Sequence, residues 1–300
     1  MNAKDTMLRA KEKKTVIPAC NIPYIPMVKP IAQAFEDENS VAMIQVARVE
    51  WEKFFAGSLE AVAEEYEKYK KPDHTLLHLD HVPVIDEDFQ KVDYMALMER
   101  AVKAGYQSAM IDASRLDLAG NIAATAQAAE FVHAAGIPLE AELGSVMGHE
   151  SGEMPPYEEI FKSKQGFTDI DQAKEFVQKS GCDWLSVAAG SIHGAVAEGL
   201  KDQKKPEARL DIEHLAALEQ ATDIPLVLHG GSGMNVDYIR QGVKTGITKV
   251  NVGTELRQTY EQAFAKRQDV EEARQAVYEK TREIIVSFFG IKDSRTLLFG

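Results

Sequence analysis

Eight short β-rich runs, starting on average about 33 residues apart and separated by amphipathic helical stretches, predict an α/β chain built from repeated strand–helix units. Eight such units in about 250 residues point to a (β/α)8 TIM barrel, with 1–300 as a single domain. A doubly wound sheet is disfavoured, because no Gly-rich dinucleotide turn follows the first run.

The runs expected as strands are Thr15–Asn21, Val41–Val46, Thr75–His81, Ser108–Ser114, Pro138–Gly144, Trp184–Gly190, Pro225–Gly231 and Ile247–Gly253. Helical periodicity fills the gaps. Ala119–Ala135 places Ile122, Ala126, Ala129 and Val132 on one stripe, with Gly136 as the stop. Asp169–Ser180 turns Phe176 and Val177 inward ahead of Gly181. Residues around Val270–Phe289 are left over and predict an extra C-terminal helix packed on the outside. Two connections look long, Ser145–Thr168 and Ser191–Leu210. Both follow strands, so both belong at the C-terminal mouth of a barrel, where active sites are built.

Composition narrows the function classes. Lys plus Arg total 34 against 47 for Asp plus Glu, a net charge of −13 that gives no overall field for nucleic acid or an anionic membrane. Hydrophobic residues at 45% and charged residues at 27% exclude a disordered or fibrous chain. No stretch approaches the roughly 20 apolar residues of a membrane helix. The opening MNAKDTMLRAKEKK is basic without an apolar core behind it, so no signal peptide is expected. Cys20 and Cys182 make neither a disulfide framework nor a metal spacing, and a cytoplasmic location follows as the expectation.

The chemically unusual residues collect at strand ends. The third run ends His78-Leu79-Asp80-His81 and the fifth contains Glu140-Ala141-Glu142. The sixth leads into Ser191-Ile192-His193-Gly194, the seventh ends His229-Gly230-Gly231-Ser232-Gly233, and the eighth contains Asn251. In a barrel, three histidines from three strands converge on one mouth, a standard arrangement for catalytic zinc with an open fourth position. Asp80, beside one of them, is placed for acid–base work. The GGSG turn ahead of a helix offers backbone N–H groups to an anion. His78 reads as a supporting residue, and His74, His133 and His214 receive no role.

The series LHLDH (77–81), EAELG (140–144), VAAGSIHG (187–194), LVLHGGSG (226–233) and KVNVGTEL (249–256) resembles the class II, metal-dependent ketose-bisphosphate aldolases of the fructose and tagatose type. The order and spacing match from about Thr15 to Arg257. The resemblance implies cleavage of a ketose 1,6-bisphosphate between C3 and C4 to dihydroxyacetone phosphate and an aldehyde. It implies Zn2+ or another divalent metal on His81, His193 and His229, with Glu142 as an alternate ligand, and a monovalent cation nearby. Asp80 would take the C4 hydroxyl proton, and Glu150 would exchange the proton on the donor carbon. Asn21, Gln45, Gly194, Gly230, Gly231, Ser232, Asn251, Gly253 and Thr254 would line the phosphate and substrate pocket. A homodimer or homotetramer is the implied assembly, and a phosphorylated sugar the implied partner.

The chain departs from the family pattern on the substrate side. Ala197 stands where a phosphate-pairing lysine is usual, and Ala47 where a serine is usual. Tyr24 replaces a second asparagine and Glu255 an aspartate. Arg48, or Lys201, Lys204 and Lys205, could supply the missing charge. Four readings therefore stay open. They are a bisphosphate aldolase, an aldolase with a differently charged or unphosphorylated donor, a metal-dependent sugar-phosphate epimerase, and a catalytically retired barrel.

Overall fold

The computed structural model describes residues 1–144, 157–191, 208–231 and 234–300. Among them, β1 (Ile17–Asn21), β2 (Ala42–Ala47), β3 (Thr75–Pro83), β4 (Ser108–Asp112), β5 (Leu139–Leu143), β6 (Trp184–Val187), β7 (Leu226–Leu228) and β8 (Ile247–Val252) close into a barrel in chain order. Every neighbouring pair is parallel, β1 with β8 included, so the sheet has no open edge. The expected barrel is the fold observed. Several strands end sooner than the apolar runs suggest: β4 at Asp112, β6 at Val187 and β7 at Leu228. The residues beyond them, His229 included, leave the ladder at the mouth.

The helices are α1 (Ala3–Lys13), α2 (Val28–Asp37), α3 (Arg48–Lys53), α4 (Leu59–Tyr69), α5 (Tyr94–Ala104), α6 (Leu118–Ala134), α7 (Tyr157–Ser163), α8 (Ile170–Ser180), α9 (Ile212–Thr222), α10 (Val236–Thr245), α11 (Thr254–Arg267), α12 (Val270–Glu283) and α13 (Ser294–Phe299). Their starts are written in the sequence. Ser58, Asp93, Asp117, Asp169, Asp211, Asn235 and Asp269 each accept a first-turn N–H, for α4, α5, α6, α8, α9, α10 and α12 in turn. Such caps satisfy donors that a helix leaves unpaired.

The face of α6 is rotated from expectation. Asn121, Ala124, Thr125, Ala128, Ala129 and Val132 are buried, while Ile122 and Ala126 are half-buried. The cause is polar. Asn121 donates to the Glu142 carbonyl at 3.0 Å and Thr125 donates to Asn121 at 3.2 Å, which draws that edge onto β5. In α8 the expected Phe176 is fully buried, and Gly181 follows with φ +72°.

The base of the barrel is closed by α1, an element the sequence reading did not anticipate. Ala3, Met7 and Ala10 pack with Ile17, Ala19, Met43, Leu76, Trp184 and Val227, and with Leu298 of α13. Asn2 caps the helix and Lys14 ends it in the left-handed conformation. Two of the three stripe residues are alanines, so the apolar period is faint. The leftover C-terminal segment forms α12 and continues as a π-helical turn, Ile284–Phe289, lying against α2 and α11. The extra C-terminal helix beyond the barrel is α13, which docks on α1.

Candidate active site

Strand residues alternate between faces, so Asp80 and His81 should point to opposite sides of β3. They do not. The register of β3 against β4 shifts between Leu79 and Val82, and His81 has φ +34°. A bulge of this kind re-aims a side chain, here at a local backbone cost on the order of 1–3 kcal/mol. Consecutive residues thereby reach one site.

Asp80 is buried, and residues of β1 and β8 hold it. Asn21 of β1 donates to its Oδ2 at 3.0 Å and Asn251 of β8 to its Oδ1 at 3.2 Å. Lys249 Nζ lies 4.0 Å from Oδ1. Burial pushes this carboxyl up, but the charges of His81, Lys249 and His229 outweigh it and hold the group below the ordinary aspartate value.

The rings of His81 and His229 stand 4.5 Å apart. His229 faces Glu142 Oε2 through Nδ1 at 2.9 Å and Glu140 Oε1 through Nε2 at 3.1 Å. Burial and the charge of His81 push the His229 imidazole down, but its two carboxylate partners raise it overall. His81 Nδ1 lies 3.6 Å from Asp112 Oδ2. Burial again opposes the charged ring, yet Asp80, Asp112 and Glu142 carry His81 up to about 10.

The donor set fits a divalent metal. Ligand atoms of Asp80, His81 and His229 lie within 4.8 Å of one another, as do those of His81, Asp112 and Glu142. Two imidazoles, forced toward the cationic form by surrounding acids, sit ring against ring. A metal ion taking both rings in their neutral form would replace those protons with one central charge. Imidazole with carboxylate suits zinc and its neighbours in the transition series. His193, Glu150, Gly194 and Ser232 lie outside the described residues.

The remaining expected residues surround this centre. Gln45 is fully buried and donates to Asn21 Oδ1 at 2.8 Å, so it stands behind Asn21. Gly230, with φ +71°, and Gly231 follow β7. Gly253 lies beside Asn21, whose side chain a Cβ there would meet at an ordinary contact distance of 3.5 Å. Thr254 opens α11, whose first turn has no side-chain cap from Gly253. Arg48 is engaged already, 2.8 Å from Glu52 and 3.3 Å from Asp86. The Ala47 N–H donates to Glu50 at 2.8 Å. His78 supports the interior through Ser108 at 2.8 Å, and burial pushes its ring down to about 3. His74, His133 and His214 bond to Ser40, Asp183 and Thr168, away from the two site imidazoles.

Sequence reasoning noted Glu140 without giving it a role and passed over Glu50, Asp112, Trp184 and Lys249. Glu50 is buried beside Asn21, and desolvation pushes its carboxyl up to about 8. Lys249 is fully buried, 3.0 Å from Glu140 Oε2, and Trp184 Nε1 donates to the same oxygen at 2.7 Å. The one signal available was the spacing of Lys249 two residues before Asn251, which puts both on one face of β8.

A barrel with acids and histidines gathered at its mouth has the make-up of a metal-dependent enzyme site. The family described as fructose-bisphosphate aldolase class-II matches residues 1–293, and the chain belongs to that family. It is a class II aldolase. A protein of Escherichia coli (strain K12) described as uncharacterized protein YdjI is 39% identical over 200 residues, which span 65% of this chain and 67% of that protein. The crystal structure of the YdjI aldolase from Escherichia coli K12 superposes with TM-score 0.78 at 28% identity, covering 98% of each chain. The fructose-bisphosphate aldolase of Campylobacter jejuni shares the fold, with TM-score 0.71 at 18% identity over 96% of this chain and 94% of that one. No described helix is long and apolar enough to cross a membrane.

Proposed function

We propose that the protein cleaves and forms the C3–C4 bond of a ketose 1,6-bisphosphate of the fructose or tagatose type, giving dihydroxyacetone phosphate and an aldehyde. The observation that carries this reading is the setting of Asp80, an ionised carboxylate held by two amide donors beside two facing imidazoles. Asp80 accepts the proton of the C4 hydroxyl as the bond breaks, and the amides of Asn21 and Asn251 keep its oxygens aimed. Zinc on His81, His229 and His193, with Glu142 as the alternate, would supply Lewis-acid stabilisation of the charge that cleavage leaves on the donor fragment. Glu150 returns a proton to the donor carbon. The turn at Gly230 and Gly231 with Ser232, and the start of α11 at Gly253 and Thr254, offer N–H and hydroxyl groups to a phosphate. A coupled assay of the zinc-loaded protein against ketose mono- and bisphosphates tests this. Cleavage of a bisphosphate into two three-carbon products supports it, and conversion to an epimer with the skeleton intact refutes it.

A second reading changes the donor end and keeps the chemistry. It is favoured because Arg48 is held by Glu52 and Asp86 and so does not replace the phosphate contact absent at Ala197. A hydrogen bond to a charged group contributes roughly 1.5–3 kcal/mol, so its loss weakens phosphate binding by about 10- to 100-fold. On this reading Ala197→Lys sharply lowers KM for fructose 1,6-bisphosphate. A low wild-type KM that the added lysine leaves unchanged discards it.

A further inference from the structure

Beneath the two imidazoles, His78, Asp80 and Glu140 form a second acid-rich group whose ligand atoms also lie within 4.8 Å of one another. It has the composition of a cation site, and the chain supplies the cation itself. Lys249 Nζ sits 3.0 and 3.1 Å from the two oxygens of Glu140 and 2.8 Å from Asn251 Oδ1, with no exposure to solvent. Those contacts match the three donors an ammonium has.

Two arms leave Lys249. The first runs through Glu140, which also accepts from Trp184 and faces His229 Nε2. A carboxylate fixed on Nε2 leaves Nδ1 as the His229 nitrogen on the side of Glu142. The second arm runs through Asn251. Lysine can only donate, so the Asn251 oxygen must face it and the amide NH2 must point the other way, toward Asp80. Without Lys249 the Asn251 oxygen loses its partner, and the bond to Asp80 alone is left to hold the amide in place.

We propose that Lys249 is a positioning residue for both halves of the site, fixing the His229 imidazole through Glu140 and the hydrogen bond on Asp80 through Asn251. This rests on the metal and proton-transfer roles given above to His229 and Asp80. A purely structural lysine would do no more than neutralise Glu140, and the two roles separate in a charge-matched variant.

The experiment compares wild type, Lys249→Met, Glu140→Gln and the double variant Lys249→Met/Glu140→Gln, in which no buried carboxylate is left unpaired at that position. Circular dichroism reports the fold. Cobalt(II) in place of zinc reports the metal environment by visible absorption, and steady-state kinetics separates kcat from KM. The folded double variant is expected to show an altered cobalt spectrum and a kcat lowered by about 10- to 100-fold, below that of Glu140→Gln alone because the Asn251 arm is lost as well, with KM changed far less. A folded double variant with the wild-type spectrum and wild-type kcat overturns the proposal. If neither lysine variant folds, Asn251→Ala and Glu140→Gln test the arms one at a time. Asn251→Ala must lower kcat with the cobalt spectrum intact, and Glu140→Gln must change the spectrum; any other pattern overturns the proposal. Wild type that takes up no cobalt refutes the metal reading itself, a result distinct from uptake with unaltered variants, which refutes only the role of Lys249.

Discussion

One backbone angle, φ +34° at His81, brings an acid and an imidazole that are neighbours in sequence to the same mouth. The acid is expected to act in the transition state. Asp80→Ala should lower kcat by about 10²–10⁴-fold while leaving zinc content near one equivalent, as measured by kinetics alongside metal analysis. Parallel loss of metal and activity would reassign Asp80 as a ligand. The imidazoles predict a pH dependence for metal uptake. Asp80, Asp112 and Glu142 overcome burial and hold His81 at about 10, so the metal-free ring carries a proton below that pH. Binding must displace it, and affinity should rise with pH from 6 toward 10 by up to about tenfold per unit for each proton released. Zinc competition titrations at several pH values check the sign, and a flat profile sinks it. Asp80, His81 and His229 were legible because they interrupt apolar strands at equivalent positions. Lys249 was not, because one lysine in ITKVNV reads as the solvent-facing partner of an alternating strand. Only barrel closure, which turns that face inward onto β5, shows otherwise.

The helices were legible where an apolar stripe runs up to a glycine, as at Gly136 and Gly181, and the strands where aliphatic runs recur. What sequence hid was orientation. The face of α6 is set by Asn121 reaching the Glu142 carbonyl, a contact between segments 21 residues apart that no periodicity encodes. The hidden element is α1, whose small stripe acquires meaning only against the barrel base. Met7 is fully buried there between Ile17, Met43 and Trp184. Met7→Ala should cost about 2–5 kcal/mol, the range for emptying a packed core site. Denaturant unfolding measures it, and zinc content should not change, because the metal ligands lie at the opposite end of the strands. A cost below about 0.5 kcal/mol would mean that α1 covers the base loosely.

At the scale of the whole molecule, β1 pairs with β8 and the site draws on β1, β3, β5, β7 and β8 together. A ligand held by distant strands stabilises the closed barrel as one unit. Zinc at a hundred times its dissociation constant adds about 2.7 kcal/mol, which for a chain of this size raises Tm by roughly 4 °C. Calorimetry with a chelator and then with zinc restored should show the fall and its reversal, and an unchanged Tm would count against the site. The bond from Trp184 Nε1 to Glu140 gives the same event an optical signature. The chain has two tryptophans, and Trp184 is the one sealed inside the barrel, one carboxylate away from His229. In a Trp51→Phe background, its fluorescence becomes an intrinsic reporter. When zinc replaces the proton on His229, the field along the indole changes. Emission intensity should then follow metal occupancy to one equivalent and return when the metal is stripped.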